Sequence, residues 1–359
     1  MQAIGMAKPP VGVIFDADLG NSIDGPLALA LLYGLDGKNE ARVVSTSVSK
    51  HSLASAALAE VIARFYAGSV NADFGSASRS LPVGMSIAGK SPEPTPFLNA
   101  VLDRKNAEGK PAYNHGILQL NDTADVHAVI RNAFTSQQDQ NCVVVLAGPA
   151  TNLAGVLGLP GAKDLIAQKV RTLVWAPGRL SLDSAAAQRV LADWPSPIVV
   201  VSPELADSIR FPAAALDTQF NWTETHPVVD AYRAAAPMPY DAPTGALAAV
   251  LYAAKPDGFF TLSPAGTFSL SGQNTLAFKP GPGTHHLLQL DPAQQSRVLE
   301  TYLALASAKP VVRQPRRRRS DAVKPPEVIP PDEPSKPASS KLTSPTSPPP
   351  LDVVKPPKP

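Results

Sequence analysis

The chain has 359 residues, with 32 Lys+Arg against 30 Asp+Glu, 39 prolines and one cysteine, Cys142. One cysteine excludes an intrachain disulfide framework, and no apolar run reaches the roughly 18–20 residues that a membrane helix needs. The net charge of +2 averages two unlike parts, because ten basic and five acidic residues fall after Lys309, which leaves residues 1–309 with 22 basic and 25 acidic, mildly acidic and without specific nucleic-acid affinity.

Residues 310–359 also hold 15 of the prolines and no aromatic residue. Such a segment buries too little apolar surface to offset the entropy of ordering, so a folded domain over 1–309 and a disordered Pro-rich tail over 310–359 are expected. Arg316–Arg319 is a dense basic run that reads as a solvated linker. It does not identify a partner for the tail.

Val11–Phe15 is a short apolar run that reads as a buried strand, and Leu27, Leu31 and Leu35 lie on one face of a helix. Between them Asp16, Asp18 and Asp24 fall where the strand ends and the helix begins. Gly20 and Asn21 suit a tight turn, Asp24 suits the N-cap, and Pro26 suits the first helical turn. Ala41–Val48 is a second strand, followed by Ser49, Lys50 and His51 and by an alanine-rich helix from Ser52 to about Tyr66. This βαβ rhythm predicts a parallel sheet with right-handed crossovers. Residues 69–122 read as loops with at most short helices.

Regular structure resumes with a helix over Asp125–Phe134 and a central strand over Cys142–Ala147, where the cysteine is a small buried hydrophobe. Gly148-Pro149-Ala150-Thr151-Asn152-Leu153-Ala154 then turns into another helix. A strand over Val170–Trp175, a helix over Ser184–Ala192 and a strand over Ile198–Ser202 follow. A helix begins near Tyr240-Asp241-Ala242-Pro243-Thr244 and runs through Leu251. Residues 259–290 alternate like antiparallel strands, and Gln294–Ala308 closes the fold as a helix. The expected class is α/β: an open, mostly parallel sheet flanked by helices, with a Rossmann-like core.

Three carboxylates at one strand tip repel one another unless a cation lies between them. Oxygen donors without cysteine point to Ca²⁺ or Mg²⁺ rather than zinc. The alternative is an N-cap with two solvated loop aspartates. Phe15-Asp16-Ala17-Asp18 after an apolar strand also resembles the start of the haloacid-dehalogenase-type phosphatases, which would make Asp16 a nucleophile and Asp18 an acid, but the lysine and acidic pair that this resemblance calls for are not placed.

Asp16-x-Asp18-x-Gly20-Asn21-x-x-Asp24, the Gly148–Ala154 turn and Tyr240-Asp241-Ala242-Pro243 resemble, in order and approximate spacing, motifs of the inosine/uridine-preferring nucleoside hydrolases, over roughly residues 10–305. The resemblance implies a nucleoside hydrolase-like fold and cleavage of the N-glycosidic bond of a ribonucleoside or related N-ribosyl compound by metal-activated water. It implies one Ca²⁺, with Asp16, Asp18, Thr151 through its backbone carbonyl, and Asp241 as metal ligands, and with Asp18 also as catalytic base. Asp24 and Asn152 would bind the substrate, a small ribosyl compound, and homo-oligomerisation is left open.

The departures are specific. Gly25 stands where the family has a second adjacent aspartate, which weakens or removes the metal site. Tyr240 replaces a histidine, Lys50 an asparagine, and Gly178–Asp183 is too short for the usual Glu-Phe-Asn segment. These favour a competing reading, a catalytically impaired relative that binds a ligand or partner. With no signal-peptide core in the first ten residues, a soluble cytoplasmic protein is expected.

Overall fold

A computed structural model of the chain describes residues 9–67, 82–90, 95–272 and 274–311. The Pro-rich tail expected from composition lies outside the described residues, apart from Pro310 and Val311. No helix among the described residues is long and apolar enough to cross a membrane.

The first half runs β1 (Val11–Ala17), α1 (Asp24–Gly37), β2 (Ala41–Val48), α2 (Leu53–Tyr66), β3 (Val83–Met85), α3 (Pro96–Leu102), β4 (Ala124–Asp125), α4 (Val126–Thr135) and β5 (Cys142–Ala147). It continues with α5 (Thr151–Val156), α6 (Ala162–Lys169), β6 (Val170–Trp175), α7 (Ser184–Asp193) and β7 (Ile198–Val200). The second half adds α8 (Pro203–Ser208), α9 (Ala215–Gln219), α10 (Pro227–Ala235), α11 (Gly245–Ala254), β8 (Thr261–Leu262), β9 (Gly266–Leu270), β10 (Leu276–Pro280), β11 (His285–Gln289) and α12 (Gln295–Ala306).

The strands form one mixed sheet in the order β10-β9-β11-β7-β6-β5-β1-β2-β3-β4, with β8 against β11. From β11 to β4 every neighbouring pair is parallel, and β8, β9 and β10 are antiparallel additions. β11 departs from the expected antiparallel hairpin, because it also extends the main sheet in parallel with β7. The chain builds outward from β1 through β2, β3 and β4, then returns to β1's other side with β5. That reversal opens a crevice beyond the carboxyl ends of β1 and β5, the place where open α/β sheets bind ligands.

Alternation along β1 divides the core. Val13 and Phe15 pack with α1, α2, α11 and α12, while Ile14 packs on the other face with α4, α5 and α7. Both faces are covered, which is why β1 and β5 read as nearly unbroken apolar runs. Cys142 is fully buried, and burial pushes its thiol up to about 12.

Candidate active site

The crevice begins with backbone pairing. Asp18 N–H donates to Ala147 O at 2.9 Å, extending the β1–β5 ladder one residue past both strands. Gly148 follows with φ +155°, and a β-carbon there would lie 2.7 Å from Asp18 Cβ. Only glycine lets the turn after β5 approach Asp18 this closely. Trp175 Nε1 donates to Gly148 O at 3.1 Å and fixes the turn from β6.

Asp16 is fully buried. Its register partner on β2 is Ser47, whose hydroxyl donates to Asp16 Oδ1 at 2.7 Å, and Asn152 Nδ2 donates to the same oxygen at 2.8 Å. Oδ2 has no hydrogen-bond partner among the described residues. Burial pushes the carboxyl up to about 7, with Asp18's charge adding to the effect and the Ser47 and Asn152 bonds opposing it.

Asp24 corrects the sequence reading. It is the first residue of α1, whose N-cap is Ile23, and it does not cap its own helix. Its Oδ2 accepts instead from Ala246 N–H at 2.7 Å, so it caps α11, 222 positions away. Burial pushes this carboxyl up to about 7 as well, against the pull of the backbone N–H groups of Ala246, Leu247 and Gly245. Its Oδ1 is shielded from solvent without a partner among the described residues.

Asp18, Asn21, Asp24, Gly148, Arg179 and Gly245 are among the residues that line a cavity of about 340 Å³ at this edge. Of the other residues singled out in the sequence, Asn152 donates its Nδ2 to Asp16 Oδ1 and to Val48 O at 3.2 Å, while its buried Oδ1 has no hydrogen-bond partner among the described residues. Thr151 opens α5 and turns its hydroxyl to Asp183 Oδ2 at 2.7 Å. Asp241 is exposed, its Oδ1 accepting from Ala213 N–H at 2.9 Å. Neither Thr151 nor Asp241 lines the cavity. The position of α11 that faces Asp24 is Gly245, where a β-carbon would lie 3.5 Å from Asp24 Oδ2. Gly25 also lines the cavity.

Lys50 is the residue whose role the sequence left unread. It is 0 % exposed, and its Nζ donates to Asn21 Oδ1 at 2.9 Å, while Asn21 Nδ2 donates to Asp18 Oδ2. Ser49 N–H bonds Ala17 O at 3.1 Å, which carries the β1–β2 pairing past the strands and sets Lys50 beside Asp18. The available signal was position: a lysine two residues beyond a buried strand end, next to an acidic loop.

A divalent ion would need its oxygen donors at one point. Asp16 Oδ2 and Asp24 Oδ1 are buried acceptors that call for positive charge. Yet Asp24 Oδ2 is committed to α11, glycines occupy 25 and 245, and Asp241 is exposed with its Oδ1 turned to Ala213 N–H. Among the described residues no group of three or more His, Cys, Asp or Glu side chains is placed to hold a metal ion. The residues present do not fit the calcium site expected from the motifs.

No protein-family model matches the sequence, and no curated protein matches it. Solved structures do match. The chain is similar to an inosine-uridine preferring nucleoside hydrolase from Bacillus anthracis, with TM-score 0.62 and 15% identity over 83% of this chain and 99% of that one. A plant nucleoside hydrolase matches with TM-score 0.60 and 16% identity, over 84% of this chain and 100% of that one. The type III effector protein XopQ, complexed with adenosine diphosphate ribose, matches with TM-score 0.59 and 13% identity, over 84% and 95%. The fold is the nucleoside hydrolase fold, as the motifs led one to expect.

Proposed function

We propose that this protein takes an N-ribosyl compound into the cavity beyond β1 and β5 and hydrolyses its N-glycosidic bond. The observation that carries the reading is Asp18 at the sheet's reversal point, lining a 340 Å³ cavity together with Asp24 and Asn21. Asp18 takes the proton of a water that attacks C1′ of the ribose, the C1′–N bond breaks with its electron pair going to the base, and solvent protonates the leaving nitrogen. A carboxylate-lined pocket favours the positive charge that develops on the sugar.

A second cavity of about 680 Å³ adjoins the first and shares Pro177, Gly178, Arg179, Ser202 and Pro203 with it. Arg179 between the two suits a phosphate, which brings ligands larger than a nucleoside, of the ADP-ribose kind, into range. The fold similarity supports a ribosyl ligand without naming one.

The commitment of Asp24 to α11, with glycine at 25 and 245, favours a second reading, binding without turnover. The test is an assay of base or ribose release over a panel of nucleosides and ADP-ribose, beside calorimetric binding of the same compounds. Release that falls at least a hundredfold in Asp18→Asn is expected, the range attributed to a general base. Binding without release supports the second reading, and neither binding nor release rejects both.

A further inference from the structure

We propose that Lys50 is the resident cation of the carboxylate loop, an ammonium built into the chain where this fold's hydrolases would be expected to hold a divalent metal ion. The proposal concerns the folded chain and stands whichever compound the cavity takes.

A fully buried lysine is rare unless its charge is matched, because taking an ammonium out of water is costly. Lys50 is the single Lys or Arg in the fully buried class among the described residues. Its burial is constructed. Gly89 lies so close that a β-carbon there would be 2.5 Å from Ser49 O and 2.6 Å from His51 N, so the segment after β3 closes over the backbone around Lys50. Ser52 N–H bonds Lys50 O at 2.9 Å, and Ser52 caps α2, which holds the tight turn beneath the side chain.

The side chain ends at the acidic loop. Nζ grips Asn21 Oδ1, and the same amide's Nδ2 grips Asp18 Oδ2, so Asn21 relays the ammonium to the carboxylate. An amide is suited to this, because its carbonyl faces the cation and its NH₂ faces the anion. Behind Asp18, Asp16 is buried with one oxygen unpartnered, two residues along the same strand. The negative charge of this strand tip thus meets a fixed positive charge supplied by the adjacent strand's end. A divalent ion entering beside Asp18 would be repelled by that ammonium and would find glycine at 25 and 245.

The test measures calcium binding by calorimetry on the full chain, with melting temperature read in EDTA and in CaCl₂. The wild type is expected to give a Ca²⁺ dissociation constant no tighter than about 1 mM, the weak end of protein calcium sites, and the same melting temperature in both buffers. Lys50→Asn, and more so Lys50→Asn with Gly25→Asp, is expected to melt lower in EDTA and to bind Ca²⁺ at least tenfold tighter than the wild type. A micromolar site in the wild type that Lys50→Asn leaves unchanged overturns the proposal. Should Lys50→Asn fold poorly, adding Asp18→Asn is expected to raise its melting temperature, since the charge left unmatched is then removed. Failure of that second change to rescue overturns the pairing.

Discussion

At the residue scale, His226 shows how firmly one side chain's environment sets its chemistry. The ring is 3 % exposed and packed edge-on against Phe65, Phe220 and Trp222. Nδ1 accepts from Val228 N–H at 3.2 Å and so caps α10, which assigns the ring proton to Nε2, 3.2 Å from Tyr66 Oη. Tyr66 in turn donates to Ala306 O at 2.9 Å, at the end of α12. Burial lowers the ring's pKa from 6.5 to about 3. The unfolded chain therefore binds a proton below pH 6.5 that the native state refuses. The contribution is intact above pH 6.5 and is lost progressively as pH falls toward 3, at up to about 1.4 kcal/mol per unit. Urea unfolding between pH 7 and pH 4.5 should show this steep loss in the wild type and a shallower one in His226→Gln; parallel curves would contradict the assignment.

At the element scale, helix α1 is held by contacts that its own sequence does not announce. Gly34 sits so close to α12 that a β-carbon would lie 2.1 Å from Leu305 O. Gly34→Ala would raise helix propensity by about 1 kcal/mol on its own, but the overpacking costs about 1–3 kcal/mol and must push the helices apart. A lower midpoint in chemical denaturation is expected, and an unchanged or higher midpoint would show that the helices yield without strain. The sequence was informative where an element's pattern was local. β2 and β5 lie over Ala41–Val48 and Cys142–Ala147 as expected, and α2 and α4 begin at Ser52 and Asp125 caps. Helices α8, α9 and α10 were not read, because residues 203–235 break into pieces of five to nine residues too short to show a period. Asp24 was read as the cap of the nearest helix, since sequence gives no hint that a carboxylate serves a helix 222 residues away.

At the scale of the whole molecule, the sheet reversal at β1 gathers Asp18, Asp24 and the Gly148 turn at one edge, and that much of the site was legible from strand-end motifs. The ligand set was not. Asp241 and the Thr151 hydroxyl answer to partners 28 and 32 residues away, Ala213 and Asp183, and the meaning of Lys50 depends on burial by the segment after β3, all of them long-range properties. The nucleoside hydrolase fold here carries an ammonium relayed through Asn21 to Asp18. Lys50, as proposed, supplies the cation of this centre from the chain itself. Crystals of the protein soaked in calcium chloride test it most directly. Lys50 Nζ is expected to remain bonded to Asn21, with no ion at the roughly 2.3–2.6 Å from Asp16 and Asp18 oxygens that calcium requires. A calcium ion at that distance, with the Lys50 side chain displaced, would contradict it.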